Sequence, residues 1–268
     1  MLLDINAYVG HWPFRQLKYN TCQTLSERMD KFGVDVAVIS SLNGIFYKNT
    51  QSANKELYDE IRSEKRFSDR FIPFAVINPI YAGWQNDFKE CVEKLGMKGI
   101  RVYPKYHDYD ITDTSLITLV KMARDQGVPV AFNVRMVDSR QRSWMDIDYV
   151  VGTPKPEWTL KNIIPIIREV PDAKYMILNV ANGLALAKED ADLFAKADVL
   201  IDTSGRSINA LPSLLKTQGK NRFAFGTHAP ILDYLSGRLR IEALRPEEAN
   251  EETKELLRSG NAKRFLNL

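Results

Sequence analysis

Apolar runs of strand length alternate with longer amphipathic stretches along the whole chain. In the longer stretches, such as TLSERMDKFG and NKELYDEIRSEKR, apolar residues recur every three or four positions, which predicts helices. Several of the short runs are apolar nearly throughout, as in parallel strands that are covered on both faces. The pattern predicts eight strands, at residues 2–9, 34–41, 71–77, 99–104, 128–136, 174–180, 199–204 and 222–227.

Eight strand-then-helix units in 268 residues favour an α/β protein with one closed (β/α)8 TIM barrel over an open doubly wound sheet. The first strand is not followed by GxGxxG and the chain has no GxxxxGK[ST], so a nucleotide-binding sheet has little support. No linker or repeat divides the sequence, and we expect residues 1–268 to form a single domain. The longest connection, 137–158, is either a lid or an ordered surface loop.

Composition narrows the classes of partner. The formal net charge of +3 is spread among acidic residues without Lys/Arg blocks, so nucleic acid and anionic membranes are poor candidates. The N-terminal segment lacks a signal-peptide pattern and no apolar run approaches the ~20 residues of a membrane span, so we expect a cytoplasmic protein. Cys22 and Cys91 fall in predicted helices and indicate neither a disulfide framework nor a metal site. A homo-oligomer stays open.

Polar residues concentrate where the predicted strands end, which is the working face of a barrel. In the first strand, Asp4, Asn6 and Tyr8 occupy alternate positions, so we expect their side chains on one face. Later strands end in amides, arginines, a tyrosine and a carboxylate: Arg101, Tyr103, Asn133, Arg135, Asn179 and Asp202.

Two of the three histidines follow neighbouring strands of the predicted barrel. His11 comes after the first strand and His228 after the eighth, so we expect both at the same mouth. Histidine titrates near neutrality, which suits His228 to general acid/base catalysis or substrate binding. The alternatives are a packing role for His228 and a simple turn around His11.

The fourth strand carries Arg101 and Tyr103 on one face by strand alternation, and the residues 105–107 are expected in the following loop. A guanidinium at a barrel mouth suits a carboxylate or phosphate, which it grips with two parallel hydrogen bonds. The alternative for Arg101 is an internal ion pair with Asp4 or Asp202.

The buried amides carry a similar ambiguity. Asn6, Asn133 and Asn179 would be costly to bury unless water, substrate or one another satisfied them, which argues mildly for function. Each could equally be a simple polar group of the core. No serine lies in GxSxG, so a covalent nucleophile has no support.

The order and spacing of several segments resemble the amidohydrolase superfamily, in the branch of metal-dependent hydrolases that includes aminocarboxymuconate-semialdehyde-decarboxylase-like proteins. The segments are DINAYVG, NKELYDEI with SDRFIPFAVINP, GMKGIRVYP, VPVAFNV, YMILNV, FAFGTHAP and SGNAKRFLNL, and together they cover nearly the whole chain.

The resemblance implies a barrel whose members carry a His-x-His pair on the first strand, histidines closing the fifth and sixth, and an aspartate closing the eighth. Those groups bind one or two divalent metals, which activate water. The residues at those positions here are Asn6 and Tyr8, Asn133, Asn179 or Val180, and His228. Amides and a phenol are weak ligands for transition metals, so we expect no tightly bound metal; zinc or another divalent ion follows if this interpretation is wrong.

Two functions remain open. The first is a hydrolase or decarboxylase-like enzyme for a small carboxylated or otherwise anionic molecule. In it His228 is the acid/base, and Asn6, Tyr8 and Asn133 polarise the reacting group. The substrate-binding set would be His11, Arg101, Tyr103, Arg135, Asn179 and Asp202. The second is a non-catalytic ligand-binding or scaffold barrel that lost its metal ligands.

Overall fold

A computed structural model describes residues 1–136, 158–180 and 183–268 of the chain. Eight parallel strands form one sheet in sequence order, which confirms the predicted (β/α)8 barrel. The strands are β1 (Leu3–Val9), β2 (Val36–Ser41), β3 (Phe71–Val76), β4 (Gly99–Val102), β5 (Val130–Asn133), β6 (Lys174–Leu178), β7 (Asp198–Asp202) and β8 (Phe223–Ala224). The long connection 137–158, predicted to be either a lid or an ordered surface loop, lies outside the described residues except for its last residue, Trp158.

Helices surround the strands. Within the described residues they are α1 (Cys22–Phe32), α2 (Asn43–Phe46), α3 (Gln51–Arg62), α4 (Lys65–Arg70), α5 (Trp84–Lys89), α6 (Pro104–His107), α7 (Thr114–Asp125), α8 (Ile164–Glu169), α9 (Lys188–Lys196), α10 (Leu211–Gln218), α11 (Tyr234–Glu242), α12 (Glu251–Glu255) and α13 (Asn261–Leu266). Short 3-10 turns lie at Leu160–Asn162, Ile208–Ala210 and Lys220–Arg222, and π-helical turns lie at Glu90–Lys94 and Leu256–Gly260. None of these helices is long and apolar enough to cross a lipid bilayer.

Helix α1 shows how local sequence sets an element. The Thr21 hydroxyl accepts from the backbone N–H of Thr24 at the start of the helix, and Gly33 ends it with a left-handed φ of 63°. Leu25 and Met29, one turn apart, are buried against the barrel. A polar cap, an apolar face and a terminal glycine therefore fix the helix that links the first two strands.

The barrel closes between its first and last strands. The backbone N–H of Ile5 donates to the carbonyl of Phe225 at 2.9 Å, and that of Tyr8 donates to Ala229 at 2.8 Å. In the reverse direction, the N–H of His228 donates to the carbonyl of Asn6 at 2.7 Å. The residues following the first and eighth strands are thereby brought together, as the sequence predicts for a closed barrel.

Apolar side chains fill the barrel in two separate layers. The lower layer, around Ile5, Phe74 and Met176, is closed from below by Phe265 of α13. The upper layer lies at the carboxyl ends of the strands and consists of Tyr8, Trp12, Leu17, Leu42, Ile45, Val76, Tyr103, Met136 and Ile231. Polar strand-end groups such as Arg101 and His228 are buried in contact with Tyr8 of this layer.

Strand β1 is not regular, and this corrects one prediction. Its pairing with β2 shifts by one residue between Asp4 and Ala7, which is a β-bulge. Leu3 and Ile5 pack inside the barrel before the bulge, whereas Tyr8 faces the interior after it. Asn6 and Tyr8 both reach His228 and Arg101 inside the barrel, whereas Asp4 contacts Thr227. Asp4 therefore does not share the face of Asn6 and Tyr8, because the extra residue reverses the alternation between Asp4 and the other two.

The region after β4 also differs from expectation. Residues predicted to lie in a loop instead form the short helix α6, which begins at Pro104, a residue suited to the first helical turn. His107 ends this helix and is buried. Cys22 and Cys91 are buried free thiols in helical segments.

Candidate functional site

Strand ends deliver the predicted site residues to the upper part of the barrel. After the bulge, β1 supplies Asn6 and Tyr8. The remaining residues lie at the ends of β4 to β8 or directly after them: Arg101, Tyr103, Asn133, Asn179, Asp202 and His228. Nearly all of these side chains are fully buried. Two hydrogen-bonded groups organise them.

The first group, which we call the central network, consists of Asn6, Asp202, Ser204 and His228. The side-chain amide nitrogen of Asn6 lies 2.6 Å from Asp202 Oδ2, 3.2 Å from His228 Nδ1 and 3.4 Å from Ser204 Oγ. Its amide oxygen accepts from Arg101 Nη1 at 3.4 Å. Because Arg101 only donates and a carboxylate only accepts, these contacts fix the orientation of the Asn6 amide.

His228 is held through both ring nitrogens. Nε2 lies 2.6 Å from the carbonyl of Met136, so Nε2 donates and Nδ1 accepts from Asn6 in the neutral tautomer. The edge of its ring also packs against Tyr8, with centroids 5.1 Å apart. His228 adopts a left-handed φ of 64°, which is uncommon outside glycine.

Asp202 is the acceptor of the central network. Besides Asn6, its carboxylate accepts from the Ser204 hydroxyl and from the backbone N–H of Asn179 at 2.8 Å. Three donors compensate the cost of burying this charge.

The second group, which we call the arginine group, consists of Tyr8, Arg101, Tyr103 and Asn133. The Arg101 guanidinium lies 4.4 Å from the centre of the Tyr8 ring, and Asn133 Nδ2 donates to the Tyr8 hydroxyl. Arg101 Nη1 also donates to the Ala7 carbonyl at 3.3 Å. Its contact with Asp202 is indirect, through Asn6, and Asp4 is not among its partners; the predicted alternative of a direct ion pair is therefore wrong for the described residues.

Several polar atoms of the arginine group have no hydrogen-bond partner among the described residues. They are Nε and Nη2 of Arg101, the Tyr103 hydroxyl and Oδ1 of Asn133. Nε and Nη2 form one edge of the guanidinium, the edge that can donate two parallel hydrogen bonds to a carboxylate. Burying these groups without a partner is costly. The two Arg101 nitrogens are complementary to an anion, whereas Asn133 Oδ1 can only accept a hydrogen bond.

Burial sets the protonation state of the tyrosines beside Arg101. It raises the pKa of Tyr8 to about 12 and raises the pKa of Tyr103 well above its ordinary value, while the Arg101 charge acts in the opposite direction. Both phenols are therefore protonated at neutral pH and can donate hydrogen bonds.

Arg135 makes a separate set of contacts. Its Nε donates to the Asn179 carbonyl at 3.1 Å and its Nη2 to Asn179 Oδ1 at 3.3 Å, while Asn179 Nδ2 donates back to the Arg135 carbonyl at 3.0 Å. Gly205, in the loop after β7, packs directly against this pair. A Cβ added at Gly205 would lie 2.0 Å from Asn179 Oδ1. The pair thus braces β6 against the loop after β7.

His11 lies apart from the other predicted residues. It is exposed beyond the end of β1, and its backbone N–H donates to Asn43 Oδ1 at 3.0 Å. The hydrogen bonds of the central network and the arginine group do not include its side chain.

Sequence reasoning missed two contributors. The Met136 carbonyl holds His228, and a backbone group leaves no signal in side-chain identity. Thr227 donates from its backbone N–H and its hydroxyl to Asp4, behind the central network. The sequence FGTHAP shows that Thr227 precedes His228. That Asp4 faces the Thr227 hydroxyl depends on the bulge in β1, which the sequence does not show.

The donor set does not fit the divalent metal that the family resemblance implies. Within the part of the chain that the structure describes, the central network holds one imidazole and one carboxylate, and both contact the Asn6 amide nitrogen, which carries hydrogens and cannot ligate. Residues 1–136, 158–180 and 183–268 contain no cluster of three or more His, Cys, Asp or Glu side chains suited to a metal.

Comparisons with known proteins agree with this architecture. The family model described as Amidohydrolase matches residues 6–268, and the chain therefore belongs to this family. No curated protein sequence matches the chain.

Solved structures resemble the barrel at low sequence identity. A 2,6-dihydroxybenzoate decarboxylase from Rhizobium is 14% identical, with 99% of this chain and 98% of that chain covered and a TM-score of 0.74. A 4-oxalomesaconate hydratase from Rhodopseudomonas palustris is 16% identical, with coverages of 100% and 96% and a TM-score of 0.71. A dihydroxybenzoic acid decarboxylase from Polaromonas sp. JS666, with bound manganese and the inhibitor 2-nitroresorcinol, is 14% identical, with coverages of 100% and 97% and a TM-score of 0.70. At these identities the likeness shows a shared fold.

Proposed function

We propose that the protein is an amidohydrolase-family lyase or hydrolase that binds a small aromatic carboxylate at Arg101. The observation that carries this proposal is the Nε–Nη2 edge of Arg101, which is fully buried and has no hydrogen-bond partner among the described residues. A carboxylate would accept from both nitrogens at once and would neutralise the buried charge.

The neighbouring groups fit an aromatic ligand that also bears hydroxyls. The Tyr103 hydroxyl can donate or accept, and Asn133 Oδ1 can accept from a ligand O–H. The aromatic and aliphatic side chains of the upper layer would contact a ring. The Rhizobium and Polaromonas proteins, which share the fold, are decarboxylases of dihydroxybenzoic acids.

Proton transfer would fall to groups that border this position. In a decarboxylation, the ring carbon takes a proton and its bond to the carboxylate breaks, with the bonding electrons returning to the ring and CO2 leaving. Tyr8 is protonated at neutral pH, and His228 packs against it, so the two can deliver that proton. In a hydrolysis, His228 would instead take a proton from water. Either role requires the ligand to replace one of the contacts that now hold His228.

A matched pair of ligands tests the proposal. 2,6-Dihydroxybenzoate and resorcinol share the ring and hydroxyls and differ in the carboxylate. We expect calorimetry to show at least tenfold tighter binding of the carboxylate. Arg101→Lys should weaken that binding by roughly 10- to 100-fold, since an ammonium cannot supply two parallel hydrogen bonds, and should leave resorcinol binding unchanged.

Arg135→Lys provides the control, because Arg135 directs its described contacts to Asn179 and Gly205. It should lower stability without discriminating between the two ligands. Equal affinity for both ligands in the wild-type protein, or equal losses in both arginine variants, would contradict the Arg101 site.

A non-catalytic ligand-binding barrel is the second candidate, favoured by the engagement of both His228 nitrogens by protein groups. Chromatographic detection of product separates the two candidates. Carboxylate binding that depends on Arg101 but yields no product from a panel of hydroxybenzoates would favour the binding protein.

A further inference from the structure

The side-chain nitrogen of Asn6 lies among three atoms that all carry lone pairs. They are Asp202 Oδ2, His228 Nδ1 and Ser204 Oγ, at 2.6, 3.2 and 3.4 Å. Carboxylate, imidazole and hydroxyl are groups that bind divalent cations when a cation lies between them. Here an NH2 group lies there instead, with two hydrogens to donate.

We propose that the Asn6 amide takes the place of a metal ion in this barrel, so that the wild-type centre is held together by hydrogen bonds and has no use for a divalent cation. Arg101 fixes the arrangement from the other side, because it donates to the Asn6 oxygen and so keeps the nitrogen turned toward Asp202 and His228. The inference concerns the central network and is independent of whether a carboxylate binds Arg101.

The acceptor atoms of Asp202 and His228 in the central network already accept hydrogen bonds from protein groups. Asp202 accepts from Asn6, from the Ser204 hydroxyl and from the Asn179 backbone. His228 accepts at Nδ1 and donates at Nε2 to the Met136 carbonyl. A cation entering this position would have to displace the Asn6 nitrogen, which is fully buried and cannot ligate.

A single isosteric change should therefore install a metal site. Asn6→Asp keeps the shape of the side chain but removes both hydrogens and adds a second carboxylate beside Asp202 and His228. Two carboxylates and one imidazole are a sufficient protein ligand set for Zn²⁺ with one open position. Without metal, the two carboxylates would repel each other and His228 would lose its donor.

The experiment measures the metal content of the protein purified without chelator, and then its Zn²⁺ binding and thermal unfolding after dialysis against chelator. We expect the wild-type protein to bind less than a tenth of an equivalent of Zn²⁺, with an unchanged Tm in its presence. Asn6→Asp should have a Tm lowered by roughly 5 °C without metal. It should then bind one Zn²⁺ per chain, and Zn²⁺ at roughly 100 times its Kd should restore several degrees.

Asn179→Asp is the matched control. It makes the same substitution at another buried strand-end amide, where the side chain contacts Arg135 instead of an imidazole. This variant should show no response to Zn²⁺. Adding His228→Gln to Asn6→Asp should abolish the Zn²⁺ response of the single variant.

Two results would overturn the inference. One is stoichiometric Zn²⁺ or Mn²⁺ in the wild-type protein that is lost in His228→Gln, since a cation would then already occupy the network. The other is a folded Asn6→Asp protein that ignores Zn²⁺. If Asn6→Asp does not fold, the wild-type metal content still decides the question.

Discussion

At the residue scale, His228 combines buried polar contacts with an uncommon backbone conformation. It is fully buried, both ring nitrogens are engaged, and its φ of 64° lies in the left-handed region. Asn179, at the end of the sixth strand, has a φ of 53°. Such conformations cost on the order of 1–3 kcal/mol each and cluster at functional sites. One of them follows β6 and the other follows β8, so two such conformations lie at the same end of the barrel, where the candidate site is.

Replacing His228 by asparagine separates an enzyme from a binding protein. Asparagine tolerates the left-handed region better than most residues, so we expect His228→Asn to fold. In an enzyme, turnover should fall by on the order of 10² to 10⁴ with affinity changed only a few-fold, because a general acid/base is removed. In a binding protein, only affinity should change, by about 0.5–1.5 kcal/mol.

Steady-state kinetics and calorimetry on the same preparations measure both quantities. Loss of the folded state, seen by circular dichroism, would instead identify His228 as a structural partner of Asn6 and Met136.

At the scale of elements, the sequence predicts the strands well and their internal irregularities poorly. The eight apolar runs contain seven of the strands completely, and β7 begins one residue before its run, at Asp198. The bulge in β1 was not predictable from alternation within that strand, because it arises from the pairing of β1 with β2. Helix α6 was missed because four residues are too few to show a helical period.

The loop after β7 depends on a glycine. Gly205 has a φ of 67°, and a Cβ there would meet Asn179 Oδ1 at 2.0 Å and Arg135 Nη2 at 2.7 Å. Gly96 has the same φ with no atom within 4 Å of such a Cβ. Gly96→Ala should therefore cost only the backbone strain, roughly 1–2 kcal/mol.

Gly205→Ala should cost at least 1 kcal/mol more than Gly96→Ala, since it also pushes Asn179 and Arg135 apart. Urea denaturation of the two variants gives the difference. Equal losses would mean that the contacts around Gly205 relax freely.

At the scale of the whole molecule, the chain order of the strands predicts which residues meet, and side-chain partners decide what they do. Asn6 and His228 could be placed at one mouth because the first and eighth strands of a closed barrel are neighbours. That the Asn6 nitrogen would face Asp202 and His228 depends on Arg101, which lies on a different strand. The pattern of residues in one sequence carries no information on how one side chain orients a second toward a third.

Two buried groups, Asp4 and His107, change the free energy of unfolding in opposite directions as the pH rises. Burial raises the pKa of Asp4 to about 6, so the stability it contributes is present below its unfolded pKa and is lost as pH rises through about 6. Burial lowers the pKa of His107 to about 4, so its contribution is present above its unfolded pKa and is lost as pH falls through about 4.

Between pH 4 and 6.5 the two effects should largely cancel in the wild-type protein. Asp4→Asn should leave a free energy of unfolding that rises with pH across this range, and His107→Gln one that falls, each by about 2–3 kcal/mol. Urea denaturation at several pH values tests both signs. Identical slopes in the wild-type protein and both variants would refute this assignment.

The barrel closes between β1 and the residues after β8, so during synthesis β1 must wait for its last partner. The backbone groups of Ile5, Asn6 and Tyr8 pair with residues 225–229, which leave the ribosome more than two hundred residues later. Until then the free edge of β1 has no partner from β8, and an unpaired strand edge invites association with other chains. A growing chain therefore carries this edge of β1 without its partner for most of translation. Any truncation before residue 225 leaves that edge open permanently.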